Sequence, residues 1–127
     1  METVLLYNIA GTPLASGLKP ILLKMKIRVR DVTPDQYLQP IGLLAGLHGF
    51  EACADRNDRE SFSEPMMVMS GFSGSRLEQL LMEMRRKKLP PIHLKAVVTS
   101  QNQHWDSLTL YRELKTEHKA MHPEPES

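Results

Sequence analysis

Residues 65–99 read PMMVMSGFSGSRLEQLLMEMRRKKLPPIHLKAVVT, and the expected architecture follows from this segment outward. It begins with a continuous apolar run at 65–69, which is typical of a strand buried on both faces of a sheet. A helix is predicted over 76–88, because apolar side chains recur there on one face at helical spacing: Leu77, Leu80, Leu81 and Met84. Residues 92–99 then alternate between apolar and polar side chains, as an edge strand does. The segment therefore predicts a strand, a helix and a second strand.

The same order of elements precedes this segment. Residues 3–9, TVLLYNI, form another continuous apolar run, and residues 26–32, KIRVRDV, alternate. An apolar stripe predicts a first helix over 14–25, between these two strands. A further helix is predicted over 33–47, although one proline and two glycines interrupt its stripe. A final helix is predicted over 107–120, with the preceding aspartate as its N-cap.

Alternating strands and helices predict an α/β fold, a small three-layer sandwich with helices on both faces of the sheet. Since the two continuous runs belong in the centre, the four mostly parallel strands are expected in the order 2-1-3-4. We expect the two central strands to run in the same direction, and a ferredoxin-like α+β sheet with antiparallel strands is the alternative. No internal repeat is evident. One domain is expected over 1–120, followed by a disordered tail over 121–127.

The composition suits a soluble protein with one core. A chain of 127 residues is long enough to bury such a core without disulfides or metal ions. Sixteen basic and fifteen acidic residues give a formal net charge of +1, which argues against non-specific nucleic-acid binding driven by counterion release. No apolar run approaches the roughly 20 residues that span a bilayer, and the N-terminus lacks the basic segment of a signal peptide. We therefore expect a cytoplasmic protein without membrane contact.

A ligand crevice is expected where the order of strands reverses, beyond the carboxyl ends of the first and third strands. Each of the two loops that would line it supplies three candidate residues: Asn8, Gly11 and Thr12 after the first strand, and Ser73, Gly74 and Ser75 after the third. Free backbone N–H groups at a helix N-terminus can hold a phosphate or a carboxylate. Neither a dinucleotide-binding nor a Walker pattern is present, so helix capping is the favoured interpretation and binding of a small anionic ligand or nucleotide is the alternative.

The most distinctive segment, KAVVTSQNQHWDSLTLYRELKTEH at 95–118, leads from a strand through a turn into a helix. Its turn spaces Thr99, Asn102 and Trp105 by three residues. An asparagine in such a turn can hydrogen-bond nearby backbone groups, and a tryptophan can cover the end of a core. A structural corner is the favoured interpretation. A ligand or partner surface formed by the three side chains is the alternative.

Metal binding and catalysis have little support in the sequence. His118 and His122 lie four residues apart, but no HExxH pattern or third ligand accompanies them. Cys53 is the one cysteine, and it stands beside the polar segment 53–64, which is predicted to be a surface loop. With no catalytic motif in the chain, we expect no metal site and no cofactor, and a non-catalytic role is favoured.

The segment 95–118 resembles the C-terminal block of a bacterial family known as domain of unknown function 3783. Members share a Lys-Ala strand, a Thr-x-x-Asn-x-x-Trp turn and a Leu-x-x-Glu-Leu-x-x-Glu-His helix. The matching positions are Lys95, Ala96, Thr99, Asn102, Trp105, Leu110, Glu113, Leu114, Glu117 and His118. Residues 67–85 are similar to the strand, Ser-Gly turn and Leu-rich helix of the family, so the resemblance covers about 65–119. Ser100 departs from it, since members often have proline there.

This resemblance implies a bacterial source and a small α/β domain, but it implies no activity. We expect a non-catalytic interaction or regulatory domain that works as a homodimer or with a protein partner. The predicted exposure of Met82, away from the apolar stripe of its helix, favours this interpretation because an exposed methionine adapts to partner surfaces.

Overall fold

The computed structural model describes residues 1–58 and 60–121, so the tail predicted from residue 121 onward lies outside it except for Met121. The elements in chain order are β1 (Thr3–Tyr7), α1 (Pro13–Lys24), β2 (Arg28–Val32), α2 (Ile41–Leu44), β3 (Met66–Ser70), α3 (Gly74–Arg86), β4 (Leu94–Val97) and α4 (Ser107–Met121). Two short 3-10 turns, Pro34–Gln36 and Asn102–His104, follow β2 and β4. No helix among the described residues is both long and apolar enough to cross a membrane.

The protein is a small α/β sandwich whose strands lie in the predicted order, β2-β1-β3-β4. Two of the three strand pairs, β1 with β2 and β3 with β4, are parallel. In each strand–helix–strand unit, β1–α1–β2 and β3–α3–β4, the two strands are direct neighbours. This excludes the ferredoxin-like alternative, in which another strand lies between them.

The direction of the central pair differs from the prediction. β1 and β3 are antiparallel, with Thr3 opposite Ser70 and Tyr7 opposite Met66. A continuous apolar run indicates that a strand is buried on both faces, but it carries no information about direction. The crossover rule fixes direction only within a strand–helix–strand unit, and the 33-residue connection between the two units allows either direction.

Helices cover both faces of the sheet, as predicted. Alternate side chains of β1 point to opposite faces, so Val4 and Leu6 pack under α1 and α3, while Leu5 and Tyr7 pack under α2 and α4. β3 divides its side chains in the same way. Because each face of the two central strands carries its own core, their sequences are apolar without interruption.

The helix predicted over 33–47 is wrong in its extent. The structure has the 3-10 turn Pro34–Gln36 and then the four-residue helix α2. Pro40 disfavours the helical conformation of the residue before it, and its own backbone forms an isolated antiparallel bridge with Asp106 instead. The apolar stripe is real, since its side chains enter the core, but the backbone that carries it is mostly irregular.

The segment predicted as a polar surface loop contributes one residue to the core. Phe62 is 9% exposed, and its ring stacks on Tyr111 with centroids 4.0 Å apart. Asn8 holds the end of the loop, because its side-chain amide donates to the carbonyls of Phe62 and Glu64 at 2.7 and 3.0 Å. A single aromatic residue in a polar run has no periodicity, so no sequence pattern indicates its burial.

The two strand–helix–strand units are structural repeats, although the sequence shows none. The helices of the two units, α1 and α3, are each followed by a residue of positive φ, Lys26 at 58° and Lys88 at 56°. The next backbone N–H closes the helix in both cases: Ile27 donates to the carbonyl of Leu22 at 2.9 Å, and Leu89 donates to that of Met84 at 3.1 Å. The equivalent residues share a conformation but seldom an identity, which hides the repeat.

The repeat continues into the turns that follow β2 and β4. The backbone N–H of Thr33 donates to the Gln36 side chain at 3.2 Å, and that of Thr99 donates to the Asn102 side chain at 2.8 Å. With β1 and β3 antiparallel, a pseudo-twofold axis passes between them and places α1 and α3 side by side in opposite directions. The surface between these two helices is therefore a direct product of the repeat.

Candidate functional site

The two loops predicted to form a crevice lie at opposite ends of the sheet. Because β1 and β3 are antiparallel, the loop that carries Asn8, Gly11 and Thr12 leaves one end, and the loop that carries Ser73, Gly74 and Ser75 leaves the other. The expected convergence of these residues is thus wrong. The rule that places ligands beyond the carboxyl ends of neighbouring strands requires those strands to be parallel.

Each loop caps a helix. The Thr12 hydroxyl accepts from the backbone N–H of Ala15 at 3.4 Å, and the Ser73 hydroxyl accepts from that of Arg76 at 3.3 Å. The capping interpretation is confirmed at both positions, since these bonds satisfy donors that the first turn of a helix leaves free.

Thr99 and Asn102 form the predicted corner. The Asn102 side chain accepts from the backbone N–H of Thr99 at 2.8 Å and donates to the carbonyl of Val97 at 3.0 Å, while the Thr99 hydroxyl accepts from the Asn102 N–H. Trp105 is half-buried against the core beside α4, and its carbonyl accepts from the N–H of Ile41 at 2.8 Å. Asn102 thus holds the corner with its amide, and the three predicted residues line one cavity of about 300 Å³.

A large cavity lies elsewhere, between α1 and α3. This α1/α3 groove has a volume of about 650 Å³. Apolar side chains form much of its floor, chiefly Pro20, Ile21, Met25 and Leu89. Gly17 makes the close approach of the two repeats possible, because a Cβ at this position would lie 2.3 Å from Cδ2 of Leu89.

Four basic side chains line the α1/α3 groove: Lys24, Lys26, Arg76 and Lys87. The side-chain ammonium groups of the three lysines form no hydrogen bond or ion pair with other described residues. Glu83 also lines the groove, but Arg86 pairs with it at 2.9 Å. The groove thus presents uncompensated positive charge above an apolar floor.

Arg76 is the one cation of the groove that is fixed in place. Its guanidinium donates to both carboxylate oxygens of Glu2, at 2.8 and 2.7 Å, and to the carbonyl of Met25 at 2.6 Å. The hydrogen bond from Arg76 holds the pKa of Glu2 below its ordinary value. Arg76 therefore links the start of β1 to α3 and to the end of α1.

Replacing Glu2 by glutamine is expected to lower stability at neutral pH and to reduce the loss of stability in acid. A carboxylate with a depressed pKa stabilises the folded state above its unfolded pKa, about 4.3, and this contribution disappears as the pH falls through the folded pKa. Urea unfolding at neutral and acidic pH measures both effects. Glu78→Gln is the control, because Glu78 forms no ion pair with other described residues. Equal acid sensitivity of the wild type and the Glu2 variant would contradict the expectation.

Charge is divided between the two helical layers. The segments that build the α1/α3 layer, 13–27 and 73–93, contain eight basic and two acidic residues. The described residues of 33–64 and 98–118, which build the opposite layer, contain nine acidic and three basic residues. The formal net charge of +1 conceals this division. The α1/α3 face is strongly positive, so it can attract an anionic partner although the chain as a whole is nearly neutral.

No group of three or more His, Cys, Asp and Glu side chains is placed to hold a metal ion among residues 1–58 and 60–121. His118 contacts His93, with ring centroids 5.5 Å apart, and His122 lies outside the described residues.

Comparison with known families gives one match. Residues 65–121 match the family described as Domain of unknown function (DUF3783), which covers the second repeat and α4. The chain has no significant match among curated proteins or among solved structures.

The sequence interpretation missed the α1/α3 groove. Its signals were present in part, since a glycine and a proline interrupt the apolar stripe of α1 and basic residues gather near the C-terminal ends of both α1 and α3. What joins them is the antiparallel packing of the two repeats, which the sequence did not reveal.

Proposed function

We propose from the geometry that this chain, whose residues 65–121 match the family described as Domain of unknown function (DUF3783), is a non-catalytic interaction module. The α1/α3 groove is its binding surface, and an acidic segment of a partner protein is its ligand. We place this module in a bacterial cytoplasm, in keeping with the family resemblance and with a single cysteine.

The observation that carries the proposal is the unpaired positive charge around an apolar groove. Lys24, Lys26 and Lys87 find no acidic partner among the described residues, although the opposite layer of the same molecule is rich in carboxylates. Complementary charge steers association and selects partners. An acidic segment would supply the carboxylates that the fold keeps on its other face.

The dimensions of the groove fit a short extended peptide. α1 has 12 residues and is about 18 Å long, which an extended chain covers with about five or six residues. Lys24 and Lys26 lie near one end of the groove, while Lys87 lies near the other because the helices are antiparallel. The apolar floor between them favours a peptide with an apolar side chain at its centre and carboxylates on both sides.

A nucleic acid is a weaker match to this surface. The segments 13–27 and 73–93 contain no phenylalanine, tyrosine or tryptophan. Proteins that bind single strands stack bases on aromatic side chains, and none lines the α1/α3 groove. The apolar floor also has no counterpart in a phosphate backbone, so the observations favour a protein ligand.

Self-association through the outer edge of β2 is disfavoured by charge. Antiparallel pairing of two copies must place residues of the same face opposite each other. Registers centred on residues 29, 30 and 31 bring Arg28 against Arg30, Arg30 against Arg30, and Asp31 against Asp31, respectively. Like charges opposite each other destabilise a strand pair, so pairing of this edge with that of a second copy is unfavourable.

The proposal is tested with a fluorescent peptide, Glu-Glu-Leu-Glu-Glu, by fluorescence anisotropy at two salt concentrations. We expect saturable binding that weakens at high salt and weakens at least tenfold, about 1.4 kcal/mol, in the double variant Lys24→Glu/Lys87→Glu. The matched control is Arg56→Glu/Arg112→Glu, which changes the net charge equally at two exposed sites in the opposite layer. Thermal unfolding checks that all variants fold.

Three results would overturn the proposal. One is equal binding of a peptide with glutamine in place of glutamate, and another is an equal loss in both double variants. The third is tighter binding of single-stranded DNA than of the acidic peptide at the same salt concentration. Light scattering tests whether a second copy of the chain occupies the groove instead. A dimer that dissociates only in Lys24→Glu/Lys87→Glu would assign the groove to that second copy.

A further inference from the structure

A second cavity lies at the β2 edge of the sheet, on the face opposite the α1/α3 groove. Its volume is about 250 Å³. Thr3 of β1, Arg28 and Arg30 of β2, and the residues that end α2 form its walls. It is therefore separate from the surface of the proposed function.

The side chain of Thr3, which lines this cavity, carries an unusual buried hydroxyl. The residue is 4% exposed, and its hydroxyl has no hydrogen-bond partner among the described residues. A buried hydroxyl without a partner is unfavourable, and native proteins seldom retain one without a reason. Valine would fill the same space without an unpaired donor.

Arg28 and Arg30 supply two positive charges beside this hydroxyl. Residues two apart on a strand share a face, and the register places Arg28 opposite Thr3 and Arg30 opposite Leu5. Neither guanidinium forms an ion pair or a hydrogen bond with other described residues. Asp31, which lies between Arg30 and Val32, faces the other side of the sheet and pairs with Lys19 at 2.9 Å.

Gly46 closes the rim of the cavity over Arg28. A Cβ at position 46 would lie 3.2 Å from a terminal nitrogen of the Arg28 side chain. The backbone of Gly46 therefore lies close to the Arg28 guanidinium, and a larger residue at position 46 would displace that guanidinium.

We propose that this cavity binds the phosphate group of a small ligand. Guanidinium groups donate paired hydrogen bonds to phosphate oxygens, and an unpaired hydroxyl adds a further donor. Arg28 and Arg30 hold the anion, and Thr3 completes its coordination from the inner wall. The source is either free phosphate or a phosphate monoester, and the two share this chemistry.

Two-dimensional NMR with titration of inorganic phosphate against potassium chloride of equal ionic strength tests the site. We expect saturable shifts of the amide signals of Thr3, Arg28 and Arg30 with phosphate and not with chloride. Binding should weaken at least tenfold in Arg28→Gln/Arg30→Gln and should persist in the matched control Arg56→Gln/Arg112→Gln, whose arginines are exposed and do not line the cavity.

Thr3→Val separates ligand binding from folding. We expect this variant to unfold at a higher temperature than the wild type in the absence of phosphate, and to bind phosphate at least fivefold more weakly. A parallel titration with O-phosphoserine identifies the source, since tighter binding than inorganic phosphate assigns the site to a monoester and weaker binding assigns it to the free anion. Equal shifts with phosphate and chloride, or unchanged binding in Arg28→Gln/Arg30→Gln, would overturn the proposal.

Discussion

Replacing Tyr7 by alanine is expected to lower the free energy of unfolding by about 3–5 kcal/mol. Tyr7 ends β1 and is fully buried. Its ring lies 5.8 Å from that of Tyr37 and 5.9 Å from that of Phe62, between the centroids. Alanine would leave a cavity where the sheet, the 53–64 segment and α4 meet. Urea unfolding followed by circular dichroism measures the loss.

The Tyr7 hydroxyl makes a separate contribution to stability. It shares a hydrogen bond of 2.7 Å with the Ser107 hydroxyl at the start of α4, and burial raises the pKa of Tyr7 well above its ordinary range. Tyr7→Phe should cost about 1 kcal/mol, because it leaves the buried serine without this partner.

Tyr37→Phe provides the matched control for the hydroxyl. Tyr37 is equally buried, but its hydroxyl has no hydrogen bond of ordinary geometry, and the neighbouring Asn8 amide donates to the carbonyls of Phe62 and Glu64. Removal of the hydroxyl should be neutral or stabilising, since no bond is lost and no partner is left unpaired. If both phenylalanine variants lost the same stability, the Tyr7–Ser107 bond would not connect β1 to α4 as the structure shows.

Features fixed by neighbouring residues were predictable from the sequence. The carboxylate of Asp106 accepts from the backbone N–H of Thr109 at 2.7 Å at the start of α4, as predicted, whereas α3 begins two residues earlier than predicted, with Ser73 as its N-cap. Such caps depend on three or four consecutive residues, so a short pattern contains all the information they need. The order of strands was predictable for a similar reason, because continuous and alternating apolar patterns report how many faces of a strand are buried.

The direction of β3 could not be predicted in the same way. Met66, Met67, Val68 and Met69 would be buried on both faces whether the strand ran parallel or antiparallel to β1. The choice depends on how the two repeats pack, and therefore on contacts between residues far apart in the chain. Gly17 against Leu89 and Glu2 with Arg76 are two such contacts.

The α1/α3 groove was not predicted because it also depends on contacts between residues far apart in the chain. Its cations belong to separate helices, Lys24 with Lys26 at the end of α1 and Lys87 at the end of α3. In the sequence these residues suggest only favourable charges at helix C-termini. They line one groove because a pseudo-twofold axis brings the helices together, and the repeat behind that axis is conserved in backbone conformation more than in residue identity.

Gly71→Ala is expected to lower the free energy of unfolding by about 3 kcal/mol, and it tests the direction of the central strands. Gly71 follows β3 with φ of 81°, a conformation that costs an alanine about 1 kcal/mol. Its Cβ would also lie 2.6 Å from the carbonyl oxygen of Met1. The backbone there cannot move freely, because the N–H of Arg28 donates to the carbonyl of Glu2 at 3.0 Å and Arg76 holds the Glu2 side chain. Urea unfolding measures the change.

Gly11→Ala isolates the contribution of this contact. Gly11 has nearly the same φ, 78°, but no atom lies within 4 Å of the position that its Cβ would take, so its replacement should cost about 1 kcal/mol. The additional loss in Gly71→Ala should be accompanied by a weaker dependence of stability on acidic pH, because displacing Met1 also disturbs the pair between Glu2 and Arg76. Were β1 and β3 parallel, Gly71 would lie near Asn8 instead of Met1 and the two alanine variants would lose similar stability. Equal losses would therefore refute the antiparallel pairing, and with it the packing of α1 against α3 that creates the groove.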